Sequence, residues 1–370
     1  ELPQSIINID EYAFSDCSAL TTIELPQSIA NIGNYAFNRC SSLIKVIIPS
    51  SVTQICDHIF NECSSLTEVE LPESITTIGN YSFNGCSSLT TIKLPESITN
   101  IGNYAFNRCS SLKQYVIPTS ATEIGKYIFS ECTSLTKITI ASSIKKISEG
   151  SFHGCTSLTT IDIPTSVTQM GENSFENCSS LSEIIIPASV LEIGNNAFNK
   201  CVKLNHLTID LYRTKFQSNS FNECPSLNHL TLLSTTTSIK KNNFSQLFKQ
   251  IGNITHITIP STITKIEEYS FTECSSLKHV TIESSVTYIG YVSFYKCTSL
   301  TSINIPSSVT EIANSAFEGC SSLSEITIPS SVSKIGNNAF NKCVKLSHLT
   351  IDLYQTEFKS NLLNVHHSII

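Results

Sequence analysis

Residues 26–49 read Pro26-Gln27-Ser28-Ile29-Ala30-Asn31-Ile32-Gly33-Asn34-Tyr35-Ala36-Phe37-Asn38-Arg39-Cys40-Ser41-Ser42-Leu43-Ile44-Lys45-Val46-Ile47-Ile48-Pro49. The chain repeats this sentence every 23 residues. Phe37 belongs to a series at Phe14, Phe37, Phe60, Phe83, Phe106, Phe129, Phe152, Phe175, Phe198, Phe221 and Phe244. After one step of 27 residues the series resumes at Phe271, Phe294, Phe317 and Phe340, with Leu363 in the same slot, which makes sixteen copies. A unit this short cannot bury its own apolar side chains, so its neighbours must stack on it. The expectation is a single solenoid over residues 1–370, with one four-residue insertion near 245–256.

Within one copy, three stretches have different periods. Ser28–Ile32 is short and ends at Gly33, which reads as a turn needing positive φ. Asn34–Cys40 shows no alternation and reads as a short helical or 3₁₀ turn that drives Phe37 inward. Leu43-x-x-Val46-x-Ile48 alternates with period 2, the pattern of a strand with one buried face, and Pro49 stops it. Stacked, the copies give a β-rich solenoid. A long parallel concave sheet forms one side, and short turns and short strands form the other.

Composition narrows the function. Charged residues make up 14% of the chain and the formal net charge is −7, with no Lys/Arg run, which argues against nucleic acid and anionic membrane as partners. No apolar run approaches 18 residues, so no segment reads as a membrane span. The chain opens in mid-repeat at Glu1-Leu2-Pro3 and reads as a fragment.

Fourteen of the fifteen cysteines sit three residues after the repeat phenylalanine, from Cys17 to Cys343. A residue locked to the apolar period reads as a small buried hydrophobe, hence a free thiol. Strand spacing of about 4.8 Å would also bring neighbouring cysteines near disulfide separation, so cross-rung bridges are the alternative. There is no Cys-x-x-Cys pair for zinc. Cys56 stands in the glycine slot and is the thiol expected to be exposed.

The unit Pro-x-Ser-Ile-Thr-x-Ile-Gly-Asn-Tyr-Ala-Phe-x-x-Cys-Ser-Ser-Leu-x-x-Ile-x-Ile-Pro resembles the Treponema-type leucine-rich repeat of BspA-like surface proteins. The likeness is best at 26–118 and 300–343 and extends over essentially the whole chain. It implies a leucine-rich-repeat solenoid, exposure at the cell surface or secretion, and adhesion to host proteins or other cells. No catalytic or binding residue comes with it, because the motif is all scaffold.

Function must then lie where the copies differ. Two positions of each strand point out of the sheet. In the second half they become a histidine row, His206, His229, His256, His279 and, farther on, His348, beside a threonine row, Thr208, Thr231, Thr258 and Thr281. These nine residues are the candidate ligand-binding ladder. Imidazoles about 5 Å apart on adjacent strands would suit a shared divalent ion or a response to acid. Copying of one histidine-bearing rung is the favoured explanation of the row, since 191–219 and 333–361 are nearly identical at an offset of 142 residues. No metal site and no cofactor are assigned.

The insertion around Ser245–Gln250 and the departures at Asp210-Leu211-Tyr212-Arg213 and Asp352-Leu353-Tyr354-Gln355 are secondary candidates for contact surfaces. Four Asn-x-Ser/Thr triplets, at Asn80, Asn177, Asn243 and Asn253, are close to chance in so polar a chain. No nucleophile elbow, P-loop, His-Glu-x-x-His or dinucleotide fingerprint occurs, so no catalytic residue is assigned. The expected function is a non-enzymatic, adhesin-like surface protein that binds an extracellular or host-cell protein or glycan. The alternative is a structural module, cytoplasmic in the variant case, that self-associates through uncapped ends.

Overall fold

The structure, a computed structural model, describes residues 2–211, 213–233, 237–239, 251, 253–351 and 357–358. The insertion at 245–250, Phe244, Leu363, Tyr212, the Asn243 triplet and the segment Asp352–Gln355 lie outside the described residues. Among the described residues every regular element is a short strand, and every pairing is parallel. The chain divides into two compact units. The first is Glu1–Leu204 with Lys215–Cys224, and the second is Asn205–Thr214 with Pro225–Ile370.

Most rungs contribute two strands. The front strands follow the Leu-x-x-Ile-x-Ile pattern with the expected alternation. In Glu68–Glu70, for example, both glutamates are exposed and Val69 is buried. In the first unit Lys45–Ile47 pairs with Glu68–Glu70, and Gln114–Val116 with Lys137–Thr139, both in 23-residue register. In the second unit one continuous ladder runs through His206–Ile209, His229–Leu232, His256–Ile259, His279–Ile282, Ser302–Asn304, Glu325–Ile328 and His348–Ile351. Two-residue strands ending in an inward apolar residue, such as Gln54–Ile55 and Thr77–Ile78, form a second ladder.

The front ladder of the first unit has gaps. Thr91–Lys93 and Thr160–Asp162 adopt no strand pairing, and Thr22 makes only a lone bridge to Lys45. These three rungs share the sequence Leu-Thr-Thr-Ile and lie 69 residues, three rungs, apart. Nothing in the structure explains why this tetrapeptide forgoes pairing.

The phenylalanine ladder is the core. In the first unit consecutive rings from Phe14 to Phe221 stack with centroids between 5.0 Å (Phe198–Phe221) and 5.8 Å (Phe129–Phe152) apart. In the second unit Phe271, Phe294, Phe317 and Phe340 stack at 5.0, 5.2 and 5.3 Å. Burying each such ring contributes on the order of 1.5–3 kcal/mol by area, and its offset-stacked neighbour adds to that. Beside the rings the cysteines are free, and twelve of the fifteen are buried. Each buried thiol from Cys40 to Cys224 donates to the carbonyl of the preceding rung's phenylalanine, as Cys63 Sγ does to Phe37 O at 3.1 Å.

Two expectations about the rung are corrected. The Ala-Phe segment is not helical. Tyr35 and Arg39, two residues either side of Phe37, both adopt left-handed φ of 57°, and a helix needs consecutive right-handed residues. The hydrogen bonds show what replaces it. Ala36, Asn38 and Cys40 donate their N–H groups back three residues, whereas Tyr35, Phe37 and Arg39 donate to Asp57, Ile59 and Asn61 of the next rung. The segment is a run of tight turns whose alternate amides stitch rung to rung. Gly33, conversely, does not have positive φ; a Cβ there would lie 2.6 Å from the Glu11 backbone nitrogen. Glycine in this slot permits close approach of adjacent rungs and not a left-handed turn.

The exposed thiol is also not the expected one. Cys17 is exposed, whereas Cys56 and Cys274 are only half-exposed. Cys17 begins the cysteine series, and Cys56 is partly covered where the rungs come close.

Candidate binding face

The front sheet of the second unit carries the predicted ladder, and the strand register settles which side chains meet. His206 is paired with His229, His229 with His256 and His256 with His279, while Thr208, Thr231, Thr258 and Thr281 align in the same way. The alternation puts Leu207, Leu230, Ile257 and Val280 in the core and leaves every imidazole and threonine on the outer face. His229, His279 and Thr281 are exposed; the other members of the strip are half-buried.

The imidazoles form a stack. Ring centroids are 6.1 Å apart for His206–His229, 4.3 Å for His229–His256 at 9° between planes, and 4.8 Å for His256–His279. Neighbouring polar groups orient them. His206 Nε2 shares a hydrogen bond with Thr231 Oγ1 at 2.8 Å, and His229 Nδ1 shares one with Asn228 Oδ1 at 2.5 Å. His256 Nδ1 shares one with Thr255 Oγ1 at 2.8 Å. Burial holds His256 below the usual imidazole range, and His229, His279 and Lys278 push it the same way.

His348 does not join this strip. Ser302 and Glu325 stand between it and His279 on the ladder. Among the described residues no three His, Cys, Asp or Glu side chains gather in a group fit to hold a metal ion.

The first unit's front face has a different character. Lys45 bridges Glu68 and Glu70 at 2.9 and 2.6 Å. Ile47, Val116 and Ile185 are exposed aliphatics, at 48%, 62% and 60% of their surface. An open groove of about 790 Å³ lies where Thr91–Lys93 leaves the ladder, lined by Thr91, Lys93, Gln114 and Val116. Behind it Tyr115 occupies an inward position held by Ile or Val in most rungs. Its ring packs against Phe106 and Phe129 at 5.1 and 4.6 Å, and its hydroxyl has no hydrogen-bond partner.

Sequence reasoning missed a second aromatic ladder. Tyr12, Tyr35, His58, Tyr81, Tyr104 and Tyr127 stack at 4.3–5.0 Å along the turn side of the first unit. Its signal was present as the residue two before each phenylalanine. The left-handed φ that aligns those rings was not legible. His153 was missed too: it lies 3.4 Å from both Glu131 and Glu176.

Comparison with known proteins agrees with this geometry. The model of the BspA-type leucine-rich repeat region matches residues 1–113, 53–179, 122–248 and 245–369. A leucine-rich repeat protein from Bacteroides ovatus is 31% identical over 93% of this chain and 82% of its own, with a TM-score of 0.60. The Treponema pallidum leucine-rich repeat protein is also 31% identical, over 47% of this chain and 82% of its own, with a TM-score of 0.43. A leucine-rich cell surface protein from Faecalibacterium prausnitzii is 26% identical over 94% and 83%, with a TM-score of 0.35. No curated protein matches. A 23-residue unit repeated along the chain, parallel strands in 23-residue register and a family model that spans it end to end lead to one assignment: the chain belongs to the BspA-type leucine-rich repeat family.

Proposed function

We propose that this protein is a non-enzymatic binding protein, displayed on the cell surface or secreted, that holds an extracellular or host-cell protein or glycan on its front sheet. The observation that carries the reading is the contrast between the two faces of each strand. The inward positions repeat the same few apolar residues, while the outward ones change character along an open surface, mixed in charge in the first unit and His beside Thr in the second. Such a face offers many separate contacts and no enclosed pocket in which water is excluded from a reacting group. Membership of the BspA-type leucine-rich repeat family supports the location. No helix among the described residues is long and apolar enough to cross a membrane.

The test is a binding screen of the purified chain against extracellular-matrix proteins, glycans and intact cells, with light scattering run alongside. Saturable binding by a monodisperse protein, weakened gradually by alanine at successive ladder positions, is the expected result. Size that grows with concentration and no ligand in the screen would favour the self-associating structural module instead.

A further inference from the structure

We infer that His229, His256 and His279, with Thr231, Thr258 and Thr281 beside them, form an acid-dependent binding strip for a sulfated polysaccharide. The inference rests on the front sheet being a binding surface, and it adds the ligand chemistry and the condition under which it binds.

Three observations converge. The three imidazoles lie on adjacent strands, with ring centroids 4.3 and 4.8 Å apart, so protonation would build a compact row of positive charge on one face. No carboxylate interrupts that face. Its outward positions are His229, Thr231, His256, Thr258, His279 and Thr281, flanked by His206 on one side and Ser302 on the other. Among the described residues, charges of both signs stand around it. Lys278 adds to the positive side, Glu325 stands two strands beyond His279, and Glu283, at the strand end, accepts the Ser261 main-chain N–H. By contrast, the ladder of the first unit pairs Lys45 with both Glu68 and Glu70, which leaves that cluster net negative.

Chemistry then selects the anion. Imidazoles charge progressively below about pH 6.5; by about pH 5 phosphomonoesters have lost most of their second charge and carboxylates have only begun to protonate. Sulfate esters keep their full charge throughout. Nucleic acids keep theirs too, but among the described residues this face offers no Phe, Tyr or Trp ring to add to the imidazoles as a platform for bases, and Lys278 is the fixed cation that acts on it. The threonine row supplies neutral hydroxyls parallel to the imidazoles, suited to sulfate oxygens and sugar hydroxyls together. Without that row of positive charge the strip releases the polysaccharide.

The test uses the whole chain with dextran sulfate and unsulfated dextran as probes, at about pH 5 and about pH 7.5 and constant ionic strength. Dextran sulfate should bind about tenfold or more tightly at the lower pH, the gain should shrink with added salt, and plain dextran should bind at neither. Combining His229→Asn, His256→Asn and His279→Asn should remove the pH dependence. His279→Asn alone, at an exposed position with no role in the core, should reduce it. Equal affinity at both pH values, unchanged behaviour of the triple variant, or single-stranded DNA binding as tightly as dextran sulfate would overturn the inference. A protein that still captures a matrix protein at neutral pH while failing this test loses only the acid-dependent strip. Failure against every ligand at both pH values removes the wider binding reading as well.

Discussion

Tyr115 shows how one side chain departs from the repeat and what it costs. At its position the rung calls for Ile or Val, and the phenol fits only by turning edge-on to Phe129 at 4.6 Å. The residue is 3% exposed and its hydroxyl finds no partner; burial pushes it well above the usual phenol range. A buried hydroxyl without a hydrogen bond costs about 1–3 kcal/mol relative to its hydrated state. Tyr115→Phe keeps the ring and removes the orphan, so it should leave the protein equally stable or more stable by about 1 kcal/mol in urea unfolding. A loss of stability of that size would mean that the hydroxyl has a partner, such as an internal water. The sequence shows that Tyr115 points inward, because alternation fixes the face. It does not show the missing partner, which depends on the packing of two other rungs.

At the scale of the element, the turn around each phenylalanine is held in two left-handed residues. A non-glycine residue there costs about 1–2 kcal/mol of conformational strain, offset by stacking at one position and by little at the other. The second position is filled by Arg39, Glu62, Arg108 and Lys200 in some rungs and by Gly85, Gly154 and Gly319 in others. Arg108, exposed at φ 59°, is a case where glycine should be the better residue. Relief of strain outweighs the greater freedom of glycine in the unfolded chain, so Arg108→Gly should stabilise by about 0.5 kcal/mol in denaturant melts. Substitution by valine should destabilise. The strands that form were legible from period 2, which also persists in the Leu-Thr-Thr-Ile rungs where no paired front strand forms. This turn was misread because left-handed φ leaves no hydrophobic period, and tyrosine and arginine do not advertise it. The histidine row was legible as a ladder, but its ring stacking and the separation of His348 required the register. Its stability consequence has a definite sign. The folded state holds the His256 pKa down, so the unfolded chain binds the proton more readily. Stability from this group is present above the unfolded imidazole value and declines as the pH falls through about 6.5. The melting temperature should therefore drop on acidification from neutral pH, and less so in His256→Asn.

For the molecule as a whole, neighbour-on-neighbour burial makes each rung's core depend on the next. The cysteines give a rung-by-rung report on this. Thiolate is the reacting form, and burial raises most of these thiols, Cys40 to about 11 and Cys224 to about 12. Cys17 alone is exposed, and Cys56 and Cys274 are half-exposed. Under native conditions a thiol reagent should therefore modify one cysteine rapidly and two more slowly, leaving twelve that react only when the stack opens. If neighbouring rungs open together, those twelve should acquire label in groups at common rates, with Cys63, Cys86 and Cys109 moving as one set. Mass spectrometry of peptides quenched at intervals reads this directly. Labelling of interior cysteines at the rate of Cys17 would show that single rungs open independently, and the phenylalanine ladder would then be a row of separate contacts and not a cooperative core.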